Sequence, residues 1–166
     1  MRQILDAINN GATSGQLASI KLPTTYKAAV LEKNDAEMFA GVASRDKDPR
    51  KSLKLREVPV PDLAPDEAVI AVMASSINFN TVWSSIFEPV STFGSLTRLA
   101  KESAWAKRHD LPYHVVGSDG SGVVLRVGTA VRNWKPGDRV TIHCNHVDDQ
   151  DPSAHDDSML GANQRI

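Results

Sequence analysis

Three groups of residues have types and spacing that could do chemistry. Gly117-Ser118-Asp119-Gly120-Ser121-Gly122 has the glycine density of a phosphate-binding loop. Such a loop needs a strand before it and a helix after it, so that the helix N-terminus faces the pyrophosphate. The next residues are Val123-Val124-Leu125-Arg126-Val127-Gly128, β-branched and glycine-bounded. The segment therefore reads as a bent strand in which glycine permits a bulge or a close backbone approach. His143, Cys144 and His146, with His155 downstream, include metal-ligand types. Their spacing matches no strong zinc pattern and no carboxylate supports them within the strand, so they read as ordinary strand and loop residues. Asn80, close to a helix start, is a neutral amide that either points into a cleft or satisfies backbone groups. On the residues alone the second reading is the ordinary one.

The elements that must position these groups are set by periodicity. Ile4, Leu5 and Ile8 predict a short helix over 3–9, followed by a loose polar link to about Ser19. Tyr26–Leu31 reads as a strand, Arg45–Lys54 as a solvated charged loop, and Leu53–Val58 as a half-buried strand. Glu67–Ile77, with Val69, Ile70, Val72 and Met73, is the clearest core strand of the first half. The period then changes. Phe79, Val82, Trp83, Ile86 and Phe87 predict a helix whose apolar face is core, with Asn78 as its N-cap and Thr81 and Ser84 as solvated or locally bonded hydroxyls. A second helix is expected over about Leu96–Lys107. Val115-Val116, Val123–Leu125 and Val140–Ile142 are short strands, and Lys135-Pro136-Gly137-Asp138 is a turn. Asp119 is expected to fix the bent strand through backbone hydrogen bonds, and the acidic stretch after Asn145 to be an exposed loop. Short strands with glycine and proline turns, broken by two helices, give an α+β, mainly β, partly open barrel with helical additions.

Composition narrows the partners. The 166 residues are 41% hydrophobic with a formal net charge of −1, enough chain for one sizeable core. The near-neutral balance gives no electrostatic reason to expect nucleic acid or an anionic membrane. No apolar run has membrane-spanning length. Cys144 is the single cysteine, so an intrachain disulfide is impossible and a reducing cytoplasm is the expected location.

Several separated elements, in order, resemble the catalytic-domain signature of medium-chain dehydrogenase/reductases. They are Gly117-x-Asp119-x-x-Gly122-x-Val124, Val127-Gly128-x-x-Val131 and Lys135-Pro136-Gly137-Asp138-Arg139-Val140. The resemblance implies a GroES-like barrel. Zinc members of the superfamily carry Gly-His-Glu where this chain has Gly117-Ser118-Asp119, and a cysteine in the segment of Asn78-Phe79-Asn80. The chain is thus similar to the zinc-free branch, with no metal expected. Ala43–Ser52, Met73–Trp83, Ser85–Gly94, Arg108–Asp119 and Gln164-Arg165-Ile166 further resemble crotonyl-CoA carboxylase/reductases, amino-terminal part only, over nearly the whole chain.

That resemblance implies an NADPH-dependent enoyl-CoA carboxylase/reductase, reducing a 2-enoyl-CoA at the β-carbon and carboxylating the α-carbon to an alkylmalonyl-CoA. Asn80 aligns with the family asparagine that hydrogen-bonds carbon dioxide. The expected partners are enoyl-CoA and carbon dioxide, and the family suggests a homo-oligomer. The expected division is an amino-terminal helix and linker over 1–22 and an incomplete GroES-like catalytic domain over 23–166. NADPH is expected on a Rossmann domain absent from this chain, which alone is expected to be inactive. Departures from the family pattern at Gly120-Ser121, around Thr97 to Ala106 and after Asn145 leave the acyl preference open. The alternatives are a non-carboxylating enoyl reductase and a barrel fragment serving only as an interaction module.

Overall fold

The computed structural model describes residues 2–101 and 106–142. His143, Cys144, His146, His155, the acidic stretch and Gln164-Arg165-Ile166 lie outside the described residues. Two compact units are present. One gathers the chain up to Tyr26 with Glu57–Ser76 and Gly120–Ile142; the other holds Lys27–Arg56 and Ile77–Asp119.

In the first unit, α1 (Arg2–Asn9) and α2 (Ser14–Ser19) precede strands β3 (Ala68–Ala74), β5 (Gly120–Val127) and β6 (Arg139–Ile142), which form an antiparallel sheet in the order β3-β5-β6. The stretch expected to be a loose link is therefore helical. Thr13 explains it, because its hydroxyl accepts from Gln16 N while the Gln16 side chain accepts from Thr13 N, a complete capping box. Ile4, Ile8, Leu17 and Ile20 pack on Ala71, Val123 and Leu125 to make one core. Arg126 locks this packing by donating to the carbonyls of Leu17 and Ile20. Gly122 lets β5 meet β3, since a Cβ there would stand 2.1 Å from the Ala71 carbonyl oxygen. The expected turn forms with Gly137 at φ 99° and Asp138 N donating to Lys135 O at 3.1 Å. β3 corrects the sequence reading. It is an edge strand in which Ala71 is buried while Val72 and Met73 are exposed.

The remaining strands are β1 (Thr25–Glu32), β2 (Lys54–Pro59) and β4 (Tyr113–Val115), in the order β2-β1-β4. Leu31 faces His114 in the antiparallel β1–β4 register. In β2 the expected alternation fails at Leu55, which is 85% exposed, whereas Val58 is buried. Positions 55 and 58 differ by an odd number, so one pleated face cannot hold both. In the second unit α3 (Phe79–Ser85) and α4 (Thr92–Leu99) come next, with Leu31, Phe93 and Leu96 as core and Leu53, Phe87 and Val116 packed against them. α4 starts earlier than its apolar spacing suggested, because Ser91 caps it by accepting from Gly94 N at 3.1 Å. Nor is the charged loop uniformly solvated. It holds two short 3₁₀ turns, Ser44–Asp46 and Pro49–Lys51, and ends at the fully buried Ser52.

Candidate functional site around helix α3

Helix α3 begins at Asn78, whose extended backbone (φ −123°, ψ 179°) leaves its side chain able to turn back on the first turn. Its Oδ1 accepts from Thr81 N at 3.1 Å, the expected cap. Its Nδ2 donates to Ser118 Oγ at 2.6 Å, and Ser118 is only 2% exposed. The glycine-rich segment thus anchors a helix start through its serine. It does not wrap a nucleotide, because Gly120 opens strand β5 and no helix succeeds it there. The described residues of this segment do not fit a pyrophosphate.

The other end of α3 is held equally firmly. Ser85 Oγ donates to Thr81 O at 2.6 Å, and Ser52 Oγ lies 2.5 Å from Ser85 O and 3.0 Å from Pro49 O. Both serines are fully buried, which sequence reasoning missed, since neither stands out by type or spacing. Glu88 N donates to Trp83 O and Phe87 N to Ser84 O, both at 3.1 Å, which closes the helix as a Schellman motif. Phe87 takes the left-handed position at φ 58°, where glycine is usual. Its ring packs against Phe93 and Phe39 at centroid distances of 6.3 and 6.4 Å, and this packing offsets the backbone strain. Beyond it, Lys47 hydrogen-bonds Glu88, and that bond, with a smaller contribution from Ser44, holds the Glu88 carboxyl below its ordinary range.

Within this frame Asn80 occupies the first turn and is half-buried. Its carboxamide has no hydrogen-bond partner among the described residues, so two donors and a carbonyl stay available. The adjacent Thr81 Oγ1 is buried without a partner among the described residues, against the expectation of a solvated or locally bonded hydroxyl; Ser84 is half-buried. The aromatic stripe is also corrected. Ile86 is core and Phe87 half-buried, but Phe79 is 75% and Trp83 44% exposed, with rings 5.9 Å apart. Asp119, half-buried, comes directly after Ser118.

His114 on β4 is 8% exposed, and burial, helped by the charge of His109, lowers its pKa to about 4. Among the described residues no three His, Cys, Asp or Glu side chains are placed to hold a metal ion, and no helix is long and apolar enough to cross a membrane. A cavity of about 400 Å³ in the first unit is lined by Gln3, Ile4 and Lys21–Thr24 and does not include Asn80.

Residues 64–162 match the alcohol dehydrogenase GroES-like domain, and the chain belongs to that family. It is 57% identical, over its full length, to a crotonyl-CoA reductase of Streptomyces collinus, of which it covers 37%. The apo structure of the 2-octenoyl-CoA carboxylase reductase CinF from a Streptomyces species superimposes with a TM-score of 0.84 at 56% identity, over 96% of this chain and 37% of that one. The CinF complex with NADP and 2-octenoyl-CoA gives 0.83 at 56% identity, over 96% and 36%. The expected likeness to crotonyl-CoA carboxylase/reductases and the GroES-like fold are thereby borne out. The chain spans little more than a third of the length of these relatives.

Proposed function

We propose that this chain is the amino-terminal catalytic-domain portion of an NADPH-dependent enoyl-CoA carboxylase/reductase that forms an alkylmalonyl-CoA. The observation that carries this reading is the 56% identity, over 96% of the chain, to a carboxylase reductase whose complex holds NADP and 2-octenoyl-CoA. NADPH supplies a hydride to the β-carbon of the enoyl thioester. The α-carbon, left electron-rich, bonds to the carbon of carbon dioxide, whose oxygens take up the negative charge as a carboxylate. Asn80 donates an N–H to one of those oxygens, orienting the electrophile and stabilising charge where it develops. The open carboxamide on a helix pinned by Asn78–Ser118 and Ser52–Ser85 supports that role. An amide also brings no acidic proton to quench the enolate.

No metal is required in this scheme, and Ser118-Asp119 in place of a His-Glu pair supports that part of the reading. The proposed enzyme is a cytoplasmic homo-oligomer.

The Streptomyces collinus relative is named a reductase without mention of carboxylation, which favours as second reading a plain enoyl reductase. Incubation of the full-length protein with NADPH, crotonyl-CoA or 2-octenoyl-CoA, and ¹³C-bicarbonate separates the two. Labelled alkylmalonyl-CoA is the expected product. Unlabelled saturated acyl-CoA alone establishes the plain reductase, and absence of NADPH oxidation with any enoyl-CoA refutes both.

A further inference from the structure

The place of Asn80 depends on Asn78, at the start of the same turn, and that of Asn78 on Ser118. With its Oδ1 given to Thr81 N, the Asn78 side chain has only Nδ2 left, and this donates to Ser118 Oγ at 2.6 Å, forty positions away. The start of a helix is where backbone N–H groups lack intrahelical partners and where fraying begins, so a fixed point outside the helix matters most in this turn. Ser118 is such a point. It is 2% exposed and follows Gly117 at φ 121°, a backbone that glycine adopts readily. Just before it, Val116 N donates to Ala29 O of β1 at 3.0 Å, which ties this stretch to the β1–β4 pair. The first turn of α3 also keeps Thr81 Oγ1 buried without a partner among the described residues. An unpaired buried hydroxyl costs free energy, so the turn sits where its anchors hold it and not where its own polar groups would be best satisfied.

We propose that Ser118 is a positioning residue for carboxylation: through Asn78 it fixes the first turn of α3, and with it the Asn80 carboxamide that orients carbon dioxide. The inference rests on the carboxylase reading above. Hydride transfer to the β-carbon leaves an electron pair at the α-carbon. That pair either bonds to the carbon of carbon dioxide, giving the carboxylate, or takes a proton from water, giving the saturated acyl-CoA. Only the first route uses Asn80, so a loosened turn shifts the partition towards the saturated product instead of slowing both routes equally. Carbon dioxide is small and uncharged and offers little else to grip, so its capture depends closely on where the amide stands. Ser118 acts through Asn78 and needs no contact with the reacting atoms.

The test uses the full-length protein carrying this chain, with NADPH, 2-octenoyl-CoA and bicarbonate below saturation, and reads the ratio of alkylmalonyl-CoA to saturated acyl-CoA by mass spectrometry. Loss of folded protein lowers both products together and leaves that ratio unmoved. Misplacing a positioned group by about 1 Å can cost on the order of a hundredfold; with the cap on Thr81 still made, Ser118→Ala should loosen the turn by less and lower the ratio about three- to fivefold. In the Asn80→Ala background the same substitution should leave the ratio where Asn80→Ala alone puts it, because both act on one amide. Ser118→Cys keeps the site filled but accepts hydrogen bonds only weakly, so it should match Ser118→Ala, and it carries the test if the alanine variant does not fold. An unchanged ratio in the folded variants, with only the urea midpoint lowered, makes Ser118 purely structural and overturns the proposal. An equal fall with and without Asn80 places its action elsewhere and also overturns it. An unaltered protein that makes no alkylmalonyl-CoA refutes the carboxylase reading itself, and the inference falls with it.

Discussion

Asn78→Ala tests whether one side chain joins helix α3 to the glycine-rich segment. Asn78 has two tasks, accepting from Thr81 N at 3.1 Å and donating to Ser118 Oγ at 2.6 Å. Losing the cap costs about 1 kcal/mol. Losing the donor leaves the Ser118 hydroxyl without that bond at 2% exposure, where water cannot replace it, a further ~1–3 kcal/mol. The expected destabilisation is roughly 2–4 kcal/mol, read as a shift in the urea midpoint at unchanged slope. The Ser118→Ala substitution adds a cycle. In the Asn78→Ala background it removes the orphaned hydroxyl, so it should be neutral or restore stability, whereas alone it should cost about 1 kcal/mol. Asn78→Asp keeps the acceptor and suits the helix N-terminus, and Ser118 can reverse its hydroxyl towards the carboxylate, so its cost should stay below about 1 kcal/mol. An Asn78→Ala cost under about 0.5 kcal/mol, or strict additivity of the two alanine substitutions, refutes the reasoning.

The same geometry gives three further expected outcomes. His114 has a folded-state pKa of about 4 against the usual 6.5, so between those values the unfolded chain binds more protons; its contribution, roughly 3 kcal/mol, is complete above pH 6.5 and lost as pH falls towards 4. Unfolding measured across that range should show a steep acid limb that His114→Leu flattens. Gly122→Ala places a methyl 2.1 Å from the Ala71 carbonyl oxygen and 2.8 Å from Ile70 Cγ2, forcing β3 and β5 apart at a cost of about 3 kcal/mol, measurable by thermal unfolding. Phe87→Gly should be less destabilising than Phe87→Ala by about 1 kcal/mol, because both lose the ring and glycine alone relieves the left-handed backbone; equal losses would mean that φ 58° carries no strain.

The glycine and proline punctuation made the strand-rich part legible. β5 and β6 lie where β-branched runs were bounded by glycine, and Gly122 is needed for the close approach that its place in a strand suggested. The Asn78 cap was readable because capping is local chemistry, acting across three residues. Apolar spacing alone does not place α2 or the start of α4, whose boundaries are set by the caps Thr13, with Gln16, and Ser91. Burial was the least legible property. Periodicity identifies an apolar face but not what covers it, so Val72, Met73, Phe79 and Trp83 read as core and prove exposed. In the opposite direction nothing in type or spacing marks Ser52, Ser85 and Ser118, yet all three are buried, and the hydroxyls of Ser52 and Ser118 hydrogen-bond residues more than thirty positions away. Such partners come from tertiary packing, which leaves no periodic trace. For the candidate site, motif resemblance pointed to Asn80, whereas the lack of a partner for its carboxamide among the described residues, and the exposure of Phe79 and Trp83 on the same helix, emerge only from the folded chain.

The role of Asn80 is tested most directly by product partition. The full-length protein and its Asn80→Ala variant are each supplied with NADPH, 2-octenoyl-CoA and saturating bicarbonate, and the ratio of alkylmalonyl-CoA to saturated acyl-CoA is measured by mass spectrometry. Loss of one hydrogen bond of about 1.5 kcal/mol to the developing carboxylate should lower that ratio about tenfold in the variant. An identical ratio in the two proteins would contradict the assignment of carbon dioxide to this amide.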